Sequence, residues 1–180
     1  MTVRSNSKKQ LIMEQYGIPE NRIFYSRDTT FAQAVKRVTK GRGVDVILNS
    51  LAGERLMASW ECIAPFGRFI EIGKSDILAH GKLPMFRFAK NVTFSAVDMS
   101  TMGRERPEHT RKVFRNVMDL VEASKIHLSY PLQVYSLSEV EQAFRHMQSG
   151  KNVGKLVVEM NKQEQVSVTF YDHSRVIAAC

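Results

Sequence analysis

Two charged residues stand just past short apolar runs in this sequence. Lys74 follows Gly73 at the end of FIEI (69–72), and Asp98 closes VTFSAVD (92–98). A lysine at a strand tip that faces a cleft can donate a proton and steady a developing oxyanion. A carboxylate beside it would orient it and hold its charge. The plain alternative is a solvated lysine that opens a surface loop and an aspartate that ends a strand. Asn49 and Ser50 end another apolar run, VDVIL (44–48), and carry hydrogen-bonding groups. An Asx or Ser turn into the next helix would account for them equally well. Gly73 lets backbone approach a flat ring closely. Ser5, Lys8 and Lys9 follow the first run, MTV (1–3), and Gly154 and Lys155 precede the last. These last two read either as ligand contacts or as a turn with solvated lysines after a helix stopped by Gly150.

The elements that must position these residues alternate. Strands are expected at 1–3, 23–25, 44–48, 69–72 and 92–97. Between them, Leu11, Ile12 and Tyr16 share a helix face ended by Gly17 and Pro19, and Phe31, Val35 and Val38 share another. The spacing of Leu56, Trp60 and Ile63 predicts a helix that runs to Pro65 and Gly67 and contains Cys62. Val113, Val117, Leu120 and Val121 mark a longer helix opened near Pro107. Strand–helix alternation with apolar strands predicts a parallel sheet covered by helices, a Rossmann-type doubly wound α/β fold. After residue 128 the rhythm changes to strand (133–135), helix and strand (155–159). Ser138 and Glu141 are expected to form a capping box for that helix, with Val140, Phe144 and Met147 inward. Ligands of open parallel sheets sit beyond the carboxyl ends of the strands, where Asn49, Ser50, Gly73, Lys74 and Asp98 fall. In a dinucleotide fold, hydroxyl and basic residues after the second strand accommodate a 2′-phosphate. Ser5, Lys8 and Lys9 are of that kind, although a capped helix with solvated lysines would look the same. No G-x-G-x-x-G turn lies between the first strand and its helix, so the usual opening βα unit of such a fold is not in this sequence.

Composition bounds the rest. At 180 residues and 43% hydrophobic, the chain can build a core. The net charge of +8 is scattered, with no run of five like charges, which argues against a nucleic-acid-binding tail. Two cysteines without a C-x-x-C pair, and five histidines without metal-ligand spacing, leave no expected metal site or disulfide framework. No run is long enough to span a membrane, and a cytoplasmic location is the default. His146 reads as structural or solvated, and Trp60 as core.

Three stretches in order carry a likeness. GVDVILNSLAGE, FGRFIEIGK and QSGKNVGKLVV together resemble the enoyl reductase domain of highly reducing polyketide synthases, especially fungal ones, within the medium-chain dehydrogenase/reductase superfamily. The resemblance spans roughly residues 3 to 160 and implies the carboxy-terminal part of that domain, without its substrate domain or its phosphate-binding loop. It implies a partial NADP-binding domain over 1–128, a return segment of the substrate domain over 129–160, and a tail or linker over 161–180. It further implies NADPH at Ser5, Lys8, Lys9, Asn49, Ser50, Gly73, Gly154 and Lys155, and Lys74 and Asp98 in substrate protonation or positioning. The implied partners are an enoyl thioester on an acyl carrier protein and a second copy through Val92–Val97. Two alternatives stay open: a catalytically inactive remnant that serves as a structural or dimerisation module, and a quinone-oxidoreductase-like reductase. A free-standing chain is expected to be marginal in stability, because strand edges and buried faces would be left open.

Overall fold

The computed structural model describes residues 1–127 and 129–160. It divides into two units, Met1–Ala123 and Ser124–Cys180. The 161–180 tail, with His173 and Cys180, lies outside the described residues.

The first unit runs β1 (Thr2–Val3), α1 (Asn6–Tyr16), β2 (Phe24–Tyr25), α2 (Thr30–Val38), β3 (Val44–Asn49), α3 (Glu54–Trp60), β4 (Ile63–Glu71), α4 (Ser75–Leu78), β5 (Thr93–Ala96), α5 (Met99–Glu105) and α6 (Pro107–Glu122). All pairing is parallel, as strand–helix–strand connections require. β1 pairs with β2, and β3, β4 and β5 form a three-stranded sheet in that order. Among the described residues β1 pairs only with β2 and β3 only with β4, so each keeps one free edge.

Alternation along the strands decides what is buried. Ile47, Phe69 and Phe94 sit in register across β3, β4 and β5 and pack with Leu56, Trp60, Ile63, Val92 and Phe88. Trp60 is the centre of an aromatic cluster, 5.4 Å from Phe69 edge-on and 5.1 Å from Phe88, and its indole N–H donates to the Pro84 carbonyl. A second cluster of Phe31, Ala32, Ala58 and Cys62 packs α2 against α3 and β3. Val46 and Leu48 alternate to the other side of β3 and are exposed.

Several expected details differ. α3 ends at Trp60, and Ile63 opens β4 instead of closing a helix. Pro65 and Gly67 then lie inside β4, at a bulge where the partners shift from Val44–Ile63 to Val46–Arg68. Cys62 follows the helix, buried, and its thiol reaches the Ala58 carbonyl. α1 ends at a left-handed Gly17, as expected, but buries none of its residues.

The second unit pairs β6 (Leu132–Ser136) with β7 (Lys155–Glu159) in parallel, with α7 (Val140–Ser149) between them. The capping box sits two residues before the expected one. The Glu139 carboxylate accepts the Ser136 amide at 3.0 Å and its hydroxyl at 2.9 Å. Ser136 and Ser138 both begin an S-x-x-E pattern, and a 3-10 turn at Leu137–Glu139 selects the earlier one. Ala143 is the buried residue of α7, while Phe144 and Met147 are exposed. His146 has a structural partner, the Tyr135 hydroxyl at 2.8 Å from its Nδ1.

Candidate functional site at the carboxyl ends of β3, β4 and β5

Parallel pairing brings the ends of three strands level. Asn49 lies beside Glu71, and Glu71 beside Ala96. The ladder continues one step further, with Ile72 donating to the Asn49 carbonyl and Val97 to the Glu71 carbonyl, both at 2.9 Å. The residues that follow therefore emerge side by side. Lys74 Nζ lies 2.7 Å from Asp98 Oδ1, so residues 24 positions apart in the chain meet because their strands are neighbours.

Asp98 is held from three directions. Besides Lys74, it accepts the Ser100 amide at 2.9 Å and the Thr101 hydroxyl at 2.8 Å, and so caps α5. Lys74 first, then Thr101, hold its carboxyl well below the usual carboxylate range. Asp98 stays ionised at any physiological pH, and the lysine always faces a full negative charge. Both side chains remain partly open to solvent, which leaves the ammonium reachable.

Close to this pair lies an acidic residue that is not among the expected site residues. Glu71 is 3% exposed. Its Oε2 accepts the Asn49 side-chain amide at 2.6 Å, and its Oε1 accepts the Gly73 backbone amide, also at 2.6 Å. Asn49 is equally buried, and its amide also donates to the Leu51 carbonyl. The carboxylate thus ties the end of β3 to the turn that carries Lys74. This also explains Gly73: a Cβ there would come 2.7 Å from Glu71 Oε1. The signal was present in the sequence. In FIEI, Glu71 shares a period-2 face with Phe69, the buried side, while Ile70 and Ile72 take the other.

Ser5, Lys8 and Lys9 stand at the end of β1. Ser5 is the N-cap of α1 and accepts the Lys8 amide at 3.4 Å. Lys9 is paired with Glu20 at 2.9 Å and lies 5.5 Å from the centre of the Tyr25 ring. Gly154 and Lys155 belong to the second unit. Gly154 has φ of 74°, and a Cβ there would collide with the Pro131 carbonyl. The Lys155 amide donates to that same carbonyl. Both thus sit where β7 meets the segment leading into β6.

A family model described as zinc-binding dehydrogenase matches residues 20–158. The chain belongs to this family. It is 49% identical over 157 residues to highly-reducing polyketide synthase 1 of Aureobasidium melanogenum, covering 87% of this chain and 7% of that protein. Among solved structures it is similar to the CurF ER cyclopropanase of the curacin A pathway, with 33% identity and a TM-score of 0.77 over 89% of this chain and 46% of that one. It is also similar to the nucleotide-binding subdomain of the PpsC enoylreductase domain from Mycobacterium tuberculosis. There the identity is 34% and the TM-score 0.63, over 70% of this chain and 69% of that one. The chain thus spans a small fraction of its synthase relatives and under half of the CurF chain. The mixed α/β architecture with parallel strands is that of the reductase Rossmann-type domains. The zinc in the family's description finds no fit: among the described residues no group of three or more His, Cys, Asp or Glu could hold a metal ion. Nor is any helix among them long and apolar enough to cross a membrane.

Proposed function

We propose that this chain is the cofactor-binding part of an NADPH-dependent enoyl reductase that reduces the 2,3 double bond of an enoyl thioester on an acyl carrier protein. The observation that carries this reading is the Lys74–Asp98 pair, 2.7 Å apart at the ends of adjacent parallel strands. Residues 1–128 form the NADP-binding part, and 129–160 the return segment of the substrate domain. The setting is cytosolic, and a second copy pairs along Val92–Val97, where β5 is the outer strand of its sheet.

The residues fit such a cofactor. Gly73 keeps the strand end flat, Ser50 stands exposed beside it, and Ser5, Lys8 and Lys9 offer hydroxyl and positive charge toward a 2′-phosphate. When bound, NADPH supplies a hydride to the substrate's β-carbon. Lys74 Nζ holds the proton that the α-carbon then takes up, and its charge steadies the thioester oxygen as negative charge develops there. Asp98 keeps the ammonium aimed, and Glu71 fixes the turn from which it projects.

Titration of the chain with NADPH, and with NADH for comparison, followed by cofactor fluorescence, tests the first half. Saturable binding that favours NADPH is expected. Turnover of a 2-enoyl thioester by the parent chain, lost in Lys74→Ala with NADPH affinity unchanged, is expected for the second half. Absence of binding would make the chain a structural part of a larger reductase.

A further inference from the structure

A cavity of about 530 Å³ opens in the first unit between α3 and the segment that contains α4, within the range of small-molecule sites. Its walls are apolar: Leu56 and Met57 from α3, Leu83 and Phe88 from the segment after α4, and Phe94 from β5. Ser50, Gly73 and Ser75 line it as well. The last two flank Lys74 in the chain, so one end of the cavity meets the turn that carries the proposed proton donor, although Lys74 itself is not on its wall. The two carboxylates on its wall are already engaged. Glu71 is held by Asn49 and Gly73, and Asp76 accepts the Gly53 amide at 3.0 and 3.1 Å. His80 and Lys82 are exposed.

A nucleobase or sugar needs convergent polar groups for orientation; the unengaged ones here, Ser50, Ser75, His80 and Lys82, are all exposed, and the more buried walls are hydrocarbon. Flexible Leu and Met side chains and two phenylalanines suit an aliphatic chain. We propose that this cavity receives the acyl chain of the thioester, with the thioester end beside Gly73 and Lys74 and the hydrocarbon end against Leu83 and Phe88. The proposal rests on the enoyl reductase reading and names where its substrate's tail goes. Chain length is then gauged by α3 and the segment after α4.

The single tryptophan, Trp60, is a built-in reporter, 5.1 Å from Phe88 and 6.0 Å from Phe94. The test is a titration of the full chain with saturated pantetheine thioesters of increasing length, without cofactor, read by Trp60 fluorescence. Affinity is expected to rise about fourfold per added methylene and then level off once the cavity is full. Met57→Phe and, as a second filling variant, Leu83→Phe should move that plateau to shorter chains and leave the shortest thioester unaffected. Affinity that does not depend on length overturns the proposal. So does a length dependence that neither filling variant moves, which would place the chains on exposed apolar surface. The readout needs neither NADPH nor turnover. A chain with the plateau but without NADPH binding would fail the functional reading and keep the cavity; the reverse result would do the opposite.

Discussion

Replacing Glu71 by alanine should cost this chain a large part of its stability, although the residue is not among the expected site residues. The carboxylate makes two short hydrogen bonds, to the Asn49 side chain and the Gly73 amide, at a position 3% exposed. Hydrogen bonds to a charged group contribute about 1.5–3 kcal/mol each, so the gross loss is about 3–6 kcal/mol. Relief from keeping a carboxylate out of water offsets part of this, and a net loss of about 2–4 kcal/mol is expected. Against a typical stability of about 5–15 kcal/mol, that is a severe change. Glu71→Gln should lose roughly half as much, about 1–2 kcal/mol, because it keeps an acceptor for Gly73 and sets an amide donor against that of Asn49. The assay is urea unfolding followed by Trp60 fluorescence, with Asn49→Ala completing a double-mutant cycle. A coupling of about 1–2 kcal/mol between positions 49 and 71 is expected. A Glu71→Ala midpoint matching the parent, or zero coupling, would refute the idea that this carboxylate ties β3 to the Lys74 turn.

The Lys74–Asp98 pair should show in a pH series. The folded Asp98 carboxyl titrates below its unfolded value, so its contribution is complete above about pH 4 and is lost as pH falls toward the folded value. Asp98→Asn should therefore melt below the parent at pH 7 and converge with it under acid; a constant gap down to pH 2 would contradict this. Glu20 competes for Lys9. Glu20→Gln should tighten NADPH, but not NADH, by about two- to fivefold at low salt, measured by cofactor fluorescence. Trp60→Ala, at a position 1% exposed, should cost about 3–5 kcal/mol in chemical unfolding followed by circular dichroism.

What could be read from the residues, and what could not, divides along physical lines. The Lys74–Asp98 meeting was legible because consecutive parallel strands end level, so residues just past two apolar runs become neighbours. Asn49 was placed correctly at a strand end, but its buried amide partners were hidden until the register with β4 was known. Glu71 escaped notice because a charge in a short strand reads as the solvent face, and only its alternation with Phe69 says otherwise. Ile63 misled for a different reason: apolar spacing over a few residues cannot distinguish a helix end from a strand start. The overlapping S-x-x-E patterns at Ser136 and Ser138 are locally equivalent, and backbone geometry chose between them. Phe144 and Met147 have helical spacing, yet within their own unit a two-stranded sheet offers little to bury them.

The separation of β1–β2 from β3–β5 has a consequence for any dinucleotide bound here. Among the described residues no backbone ladder joins the two sheets; α2 packs on α3 through Phe31, Ala32, Ala58 and Cys62 instead. A ligand that held Ser5–Lys9 at one end and Gly73 at the other would act as a bivalent tether across that weld. Its affinity would be governed by the effective concentration of the second end once the first is seated. Loosening the weld, as with Ala58→Gly, would weaken the intact dinucleotide while each mononucleotide half bound as well as before.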